Sequence, residues 1–404
     1  MSFPTLEDQW SLISRGVEEI IPEDELKKKI SKSSENNKPL KIKLGCDPSR
    51  PDLHIGHSVV LRKLSHFQQL GHKAILVIGD FTAMIGDPSG RNKTRPQLTI
   101  EETKTNAETY IDQAAKILDI EKLEIVFNSH WLNKMSFSEV IKLCSQYTVA
   151  RMLERDDFTK RFKSETPISI HEFMYPLAQG MDSVELEADI ELGGTDQKFN
   201  LLVGRDLQKE NGQKPQSIIT LPLLEGTDGK DKMSKSYEND IGLMDDPANM
   251  YGKTMSIPDE LIYKYYSVAL DLEESKLLSI KEKLDDKSTN PRDIKRDLAR
   301  ELVQMYHGEK KSQEAQAHFE KVIVNKENPE EKLRSRKRMG LKIMQDFVYK
   351  GDNVWEDGRI YKPTNGKTYG GKATLVDANT LELEGYLISL PFIGKKSTWK
   401  RKAS

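Results

Sequence analysis

The sequence predicts an α/β fold built on a parallel sheet, followed by an all-α domain and a small α+β domain. Its 404 residues exceed what a single hydrophobic core usually supports, so two or three domains are expected. Apolar runs and amphipathic helical patterns alternate between about 40 and 225, which is typical of parallel strands joined by right-handed helical crossovers. The pattern is almost wholly helical from about 255 to 322, and short runs punctuated by glycine follow.

Four short apolar runs are interpreted as buried strands, over 40–46, 74–81, 123–129 and 216–224. Helical patterns lie between them, over 57–70 and 99–118. The second of these opens with Thr99 and Glu102, the spacing of a capping box. Because ligands of parallel α/β sheets bind at the carboxyl ends of the strands, functional residues are expected there.

A polar segment over 325–332 is interpreted as a linker, and we predict domains over 1–240, 241–325 and 333–404. Charge is divided unevenly between these parts. Residues 331–404 carry 16 Lys and Arg against 8 Asp and Glu, a net +8, which leaves about −10 for the rest of a chain whose net charge is −2. Such a basic tail often contacts a polyanion, although a solvated surface is an alternative.

Composition argues against several classes of protein. No apolar run approaches the roughly 18 residues that span a membrane, and the first ten residues lack the features of a signal peptide. The two cysteines, Cys46 and Cys144, are too few for a disulfide framework or a cysteine-based zinc site. A protein of the reducing cytoplasm, without a metal centre, is therefore expected.

Two histidines bracket the start of a predicted helix, in the stretch His54-Ile55-Gly56-His57. A helix N-terminus favours anions, and imidazoles placed there can donate hydrogen bonds to phosphate oxygens. Gly56 leaves room for a flat ring to approach the backbone. Surface or capping histidines are the alternative, and metal binding is less favoured because no third ligand is nearby in the sequence.

A second basic motif, Lys232-Met233-Ser234-Lys235-Ser236, follows the last predicted strand of the sheet and a pair of glycines, Gly226 and Gly229. Lysines on a glycine-hinged loop can move a positive charge onto a phosphate chain, although such loops are often only solvated surface. A P-loop is excluded, because Pro247 and Tyr361 stand where its first glycine is required.

Three polar residues share one face of a predicted helix: Tyr175, Gln179 and Asp182 fall at positions i, i+4 and i+7. They lie among apolar neighbours. The face is either the wet side of an amphipathic helix or a ligand pocket whose carboxylate accepts a hydrogen bond from a ligand hydroxyl.

The histidine and lysine motifs together resemble the paired signature of class I aminoacyl-tRNA synthetases. The stretches HEFMYPLAQGMDSVEL and ELGGTDQKFN, within a resemblance over about 40–258, are similar to the bacterial tyrosyl enzymes. A lysine at position 43, where the better-known branch has a tyrosine that helps to bind the substrate hydroxyl, matches a second bacterial branch. The second hydroxyl partner is therefore open, with Asp80 as one candidate.

The resemblance implies a Rossmann-like catalytic domain and a role for each matching residue. Catalysis would involve His54, His57, Lys232, Lys235 and Ser49; ATP would contact His54, Gly56, His57, Gly194, Asp196, Met233 and Lys235; tyrosine would contact Asp87, Tyr175, Gln179, Asp182 and Gln197; and pyrophosphate or tRNA would contact Arg91 and Arg95. Arg91 departs from the lysine that the second branch has there.

The implied activity is formation of tyrosyl-adenylate from tyrosine and ATP, followed by transfer to tRNA. Mg²⁺ would arrive with ATP as a substrate complex, with no tightly bound cofactor. A homodimer and an S4-like RNA-binding tail, over 333–397, are further expectations. Within this tail, 333–348 is predicted to form a basic helix and 351–363 a hairpin. The alternatives are a tryptophanyl-tRNA synthetase and a catalytically silent RNA-binding relative.

Overall fold

The computed structural model describes residues 3–48, 52–87, 100–270, 272–286, 288–322, 343–362, 366–388 and 390–400. Three predicted site residues, Ser49, Arg91 and Arg95, lie outside these ranges. The chain forms two compact units, Met1–Ser312 and Gln313–Ser404. The finer division of the first unit at residue 240 stays a prediction.

The first unit contains a six-stranded sheet. Its strands are β1 (Glu19–Ile21), β2 (Lys41–Cys46), β3 (Lys73–Ile78), β4 (Leu123–Phe127), β5 (Ile190–Gly194) and β6 (Ser217–Leu221). The structure confirms all four predicted strands. Sequence analysis missed β1, which has only three residues, and β5, which ends in two glycines.

Helices surround this sheet and continue beyond it. In chain order they are α1 (Leu6–Ser14), α2 (Glu23–Glu35), α3 (Ile55–Gln69), α4 (Thr82–Ile85), α5 (Ile100–Ala114), α6 (Ser129–Leu132), α7 (Phe137–Ser145), α8 (Val149–Met152), α9 (Asp156–Lys163), α10 (Ile170–Leu186), α11 (Lys198–Glu210), α12 (Pro247–Ser256), α13 (Ile262–Ala269), α14 (Glu274–Asp285), α15 (Pro291–His307) and α16 (Glu309–Val322). The helical pattern predicted over 255–322 is confirmed. Among the described residues, no helix has the length and apolar character required to cross a bilayer.

The strand order, β1-β6-β5-β2-β3-β4, explains where a ligand can bind. All neighbours from β6 to β4 run parallel, and only β1 is antiparallel, on the edge next to β6. After β2 the chain continues to β3, toward one edge of the sheet, and after β5 it continues to β6, toward the opposite edge. Loops leaving the carboxyl ends of β2 and β5 therefore diverge and open a crevice between them.

Helices α10 and α11 approach each other closely at two glycines. A Cβ atom built on Gly180 would lie 2.7 Å from Cδ1 of Leu207 and 3.3 Å from Cα of Gly204. At these distances an added methyl group would force Leu207 or the backbone of α11 to shift. The crossing fixes the depth at which α10 lies against the sheet, and α10 carries three predicted site residues.

The second unit contains an antiparallel sheet. Its strands are β7 (Met344–Gln345), β8 (Val348–Gly351), β9 (Val354–Lys362), β10 (Lys367–Asp377), β11 (Thr380–Leu387) and β12 (Leu390–Lys400), ordered β12-β11-β10-β9-β7 with β8 also paired to β9. The predicted hairpin is confirmed: Asp352 and Asn353 join β8 to β9 with φ angles of 47° and 59°, as a type I′ turn requires.

One prediction for this unit needs correction. A basic helix was expected over 333–348, but residues 344–345 form β7 and pair with β9. Pairing with a neighbouring strand outweighs local helical propensity there. Residues 333–342 lie outside the described ranges. The antiparallel sheet is consistent with the β content of an S4-like module.

We expect Gly180→Ala to destabilise the protein by about 1–3 kcal/mol, because the added methyl group must displace α11 or distort α10. Gly252→Ala is the matched control, since Gly252 lies inside α12 and a Cβ there meets nothing within 4 Å. The control should be neutral or stabilise by up to about 1 kcal/mol. Urea-induced unfolding measures both, and equal midpoints for the two variants would contradict the close crossing.

Candidate active site

A cavity of about 440 Å³ lies at the carboxyl ends of β2 and β5. The start of α3, the residues after β5 and the lysine loop (residues 229–240) all line it. Of the residues predicted from sequence, the cavity is lined by His54, Gly56, His57, Asp87, Tyr175, Gly194, Asp196, Gln197, Lys232, Met233 and Lys235. Gln179 and Asp182 do not line it; they are buried behind it.

The two histidines form the N-terminus of α3. The backbone N–H of His54 donates to Nδ1 of His57 at 3.2 Å, and the two ring centroids lie 3.8 Å apart. Because Nδ1 of His57 accepts, the proton of a neutral His57 ring is on Nε2. A Cβ on Gly56 would lie 3.0 Å from the His54 ring, so a side chain there would push this ring from its position.

Burial lowers the pKa of His54 well below its ordinary value, and the nearby charges of His57, Lys235 and Lys232 lower it further. His54 is therefore a neutral ring at physiological pH. Its Nδ1 is buried and has no hydrogen-bond partner among the described residues. A neutral imidazole has one donor and one acceptor nitrogen, so the His54 ring can form a hydrogen bond with a ligand in the cavity.

The lysine loop is held over the cavity by two ion pairs. Nζ of Lys232 lies 2.7 Å from Oδ2 of Asp196, and Lys235 pairs with the carboxylate of Asp52. Met233 is buried, and its backbone N–H donates to the carbonyl of Leu224 at 2.8 Å. Two cations thus face the cavity, each balanced by a carboxylate, and both are placed to bind a polyanion.

Asp47 is a site residue that sequence analysis missed. Its Oδ2 accepts a hydrogen bond from the hydroxyl of Tyr175 at 2.9 Å, and its Oδ1 accepts from Thr82 at 2.7 Å. The signal available in the sequence was its position, directly after β2. Asp87 also lines the cavity, 3.9 Å from the guanidinium of Arg155.

Both ends of the Gln179 amide are used inside the protein. Its Nε2 donates to Glu191 at 3.2 Å, and its Oε1 accepts from Asn200 at 3.0 Å. The orientation of Gln179 is therefore fixed before any ligand binds.

Gln197, by contrast, lines the cavity, and its Oε1 accepts from the backbone N–H of Gly194 at 3.2 Å.

Asp182 is a buried carboxylate, only 2% exposed. Trp131 Nε1 donates to it at 3.0 Å and Asn128 Nδ2 at 3.4 Å. Burial raises the pKa of Asp182 to about 7, against the opposing effects of Lys43 and of these two donors. Trp131 was not identified from the sequence, because a single tryptophan carries no motif.

Asp80, predicted as an alternative partner for a substrate hydroxyl, has other contacts. Its carboxylate accepts from the backbone N–H groups of Phe81 and Ser129, at 3.0 and 2.9 Å, and from the Ser129 hydroxyl at 2.6 Å. These bonds join the segments that follow β3 and β4. Its role in the described structure is to fix the start of α6.

No cluster of three or more His, Cys, Asp or Glu side chains that could hold a metal ion occurs within the described ranges. The cavity instead combines two imidazoles, two lysine cations and carboxylates around space for a ligand. This set is suited to binding a nucleotide and a second, polar substrate by hydrogen bonds and charge.

Residues 24–323 match the model of the class I tRNA synthetases (W and Y), so the chain belongs to this family. Its curated relatives include the tyrosine–tRNA ligases of Chlorobaculum tepidum and Thermotoga maritima. The first is 60% identical over 329 residues, 81% of this chain and 80% of that protein, and the second is 57% identical over 327 residues, with the same two shares. The predicted family is confirmed.

A solved structure supports the fold. The tyrosyl-tRNA synthetase of Archaeoglobus fulgidus, complexed with L-tyrosine, is 23% identical, with a TM-score of 0.62 over 77% of this chain and 100% of that one. A second family model, described as an uncharacterized protein conserved in bacteria (DUF2147), matches residues 290–401 and so includes the antiparallel sheet of the second unit.

Proposed function

We propose that this protein is a tyrosine–tRNA ligase that uses the cavity at the ends of β2 and β5. The observation that carries the proposal is the arrangement of His54 and His57 opposite Lys232 and Lys235 across one cavity. The names of its curated relatives support tyrosine as the amino acid. Sequence alone left a tryptophanyl enzyme and a silent relative open, and neither gains support from these matches.

In the first step the tyrosine carboxylate attacks the α-phosphate of ATP, and the bond to the β-phosphate bridging oxygen breaks. Tyrosyl-adenylate forms and pyrophosphate leaves. No side chain acts as nucleophile, so catalysis is positioning and charge stabilisation. The histidines bind phosphate and ribose, the two lysines stabilise the leaving pyrophosphate, and Mg²⁺ enters with ATP, bound largely by phosphate oxygens and water.

The second step transfers the tyrosyl group to the terminal adenosine of tRNA. The adenylate is held by Asp196 at the ribose, and Gly56 and Gly194 leave room for the nucleoside. We place this reaction in the cytoplasm, where translation occurs and where both free thiols, Cys46 and Cys144, stay reduced.

Selection of tyrosine depends on Asp182 as acceptor for the phenol. Tyr175 and Asp87 form the ammonium side of the site, Gln179 supports this side from its buried position, and Gln197 lies near the carboxylate. Phenylalanine would leave Asp182 without the hydrogen bond that a phenol donates to it. Tyrosyl-tRNA synthetases are the standard example of this effect, with a discrimination of about 10⁵.

The proposal predicts ATP–pyrophosphate exchange that depends on tyrosine and not on tryptophan. Lys235→Ala should lower the exchange rate by about 10²–10³, the scale of removing one charge-stabilising donor, while the KM for tyrosine barely changes. Lys253→Ala is the control, because Lys253 forms a similar half-exposed ion pair with Asp245 and does not line the cavity. Exchange that is absent with tyrosine, or unaltered in Lys235→Ala, would refute the proposal.

We also propose that the active form is a homodimer, joined through an apolar surface on α7. Phe137 and Ile141, four residues apart, are 80% and 56% exposed, while Leu143 on the other side of the helix is buried. Val149 and Ile170 are exposed on the neighbouring α8 and α10. A patch of this kind marks a protein interface, and a second copy presents a surface of the same chemistry.

Phe137→Glu should therefore convert the protein from a dimer to a monomer, since a buried charge without a partner opposes association. Sedimentation velocity would report this as a fall from twice 46.2 kDa to 46.2 kDa. Leu278→Glu, at another exposed apolar position, is the control and should leave the mass unchanged. A monomeric unaltered protein would exclude the interface.

The C-terminal unit is proposed to contact tRNA. Lys395 and Lys396 lie exposed on β12, the edge strand of its sheet, within a region whose net charge is +8 from 16 basic and 8 acidic residues. Lysines bind phosphates without regard to sequence, so such a surface would add affinity for the polyanion.

Reversing both charges, in Lys395→Glu/Lys396→Glu, should raise the KM for tRNA several-fold in aminoacylation and leave tyrosine-dependent exchange unchanged, because exchange needs no tRNA. The matched control reverses two exposed lysines of α2, in Lys28→Glu/Lys32→Glu. An identical KM for tRNA in the β12 variant and the unaltered chain would rule out this contact.

A further inference from the structure

A buried ion pair lies directly beneath the predicted tyrosine-binding helix. Lys43 of β2 and Glu191 of β5 are paired in register on adjacent parallel strands. Nζ of Lys43 lies 2.9 Å from Oε1 of Glu191, and the two side chains are 0% and 1% exposed. Charges are rarely buried this completely unless they are paired and hydrogen-bonded.

All three donors of Lys43 are used, and two of them hold α10. Besides Glu191, Nζ donates to the carbonyl of Gln179 at 3.0 Å and to the hydroxyl of Ser183 at 2.7 Å. These acceptors are four residues apart, one turn of the helix, and Asp182 lies between them. The Lys43 ammonium therefore fixes the turn of α10 that carries two predicted tyrosine-binding residues, Gln179 and Asp182.

Glu191 holds the same turn through different atoms. It accepts from Nε2 of Gln179 at 3.2 Å, from the hydroxyl of Ser183 at 3.1 Å, and from Nε2 of Gln216, which directly precedes β6. Gln179 is thus bound at its carbonyl by Lys43 and at its amide by Glu191. The ion pair fixes both the backbone and the side chain of that residue.

The network continues to the other end of the predicted amino-acid site. Oε1 of Gln179 accepts from Asn200, and Oδ1 of Asn200 accepts from Arg155 at 3.1 Å. Arg155 in turn lies 3.9 Å from Asp87. A continuous chain of polar contacts therefore joins Lys43 to the carboxylate predicted to bind the substrate ammonium.

We propose that Lys43, together with Glu191, is a positioning residue for amino-acid selection: the pair fixes the turn of α10 that carries Gln179 and Asp182. This inference rests on the proposed function. Lys43 does not line the cavity. It occupies the position where the better-known bacterial branch has a tyrosine, and it acts through the helix instead.

The ion pair also acts on Asp182 through its two charges. The charged and polar groups that face Asp182 are Lys43 from β2, Glu191 from β5, Trp131 from α6 and Asn128 before it. Among the influences on the pKa of Asp182, burial raises it most, Lys43 lowers it next, and Glu191 raises it least. Removing Lys43 alone or with Glu191 should therefore raise this pKa, and removing Glu191 alone should lower it.

The test is the pH dependence of the KM for tyrosine in ATP–pyrophosphate exchange, between pH 5.5 and 9. A phenol donates to ionised Asp182, so the KM should fall as pH rises through about 7 in the unaltered chain. The double variant Lys43→Met/Glu191→Gln avoids leaving one buried charge unpaired. In it the transition should move up by about one pH unit, and in Glu191→Gln alone it should move down. The KM for ATP should stay constant.

Lys295→Met is the matched control, because Lys295 is also buried, pairs with Asp259 and donates to the carbonyl of Ile257, away from the cavity. It should lower stability without moving the transition. If both site variants fold and keep the transition at the pH of the unaltered chain, the ion pair is only structural and the proposal is wrong. Absence of tyrosine-dependent exchange in the unaltered chain would instead refute the proposed function.

Discussion

The parallel pairing of β2 with β5 is the constraint on which the site depends. These strands are neighbours in space although about 140 residues separate them, and their loops leave in opposite directions. The crevice between the loops receives the histidine-bearing end of α3 from one side and the Gly194–Gln197 segment from the other. A class I synthetase needs a nucleotide and an amino acid side by side, and this topology provides both positions at once.

The same two strands carry a buried ion pair between Lys43 and Glu191. Lys43 and Glu191 both contact α10, and they stand at positions where buried parallel strands normally carry apolar residues. Such an arrangement is costly unless every donor and acceptor is satisfied, and here each has its partner. The stability of the sheet and the geometry of the proposed amino-acid site are therefore coupled through one pair of side chains.

Sequence reasoning recovered the strands that are long and apolar, together with the motifs whose chemistry is visible in a few consecutive residues. It missed β5, whose glycines weaken the strand pattern, and it extended a helix to residues that pair as β7. Asp47 and Trp131 escaped notice because their roles arise from contacts across 128 and 51 positions of the chain, and Glu191 because its partner Lys43 lies on an adjacent strand. Periodicity contains no information about such pairs.

The ion pairs of the lysine loop have a consequence for turnover. Before nucleotide arrives, Lys232 and Lys235 already have carboxylate partners in Asp196 and Asp52. Under the proposed function, a triphosphate competes with these internal anions, so each new contact to a lysine replaces an existing one. The same carboxylates pair with the lysines again when pyrophosphate leaves. This favours release of the highly charged product and limits inhibition of the enzyme by it.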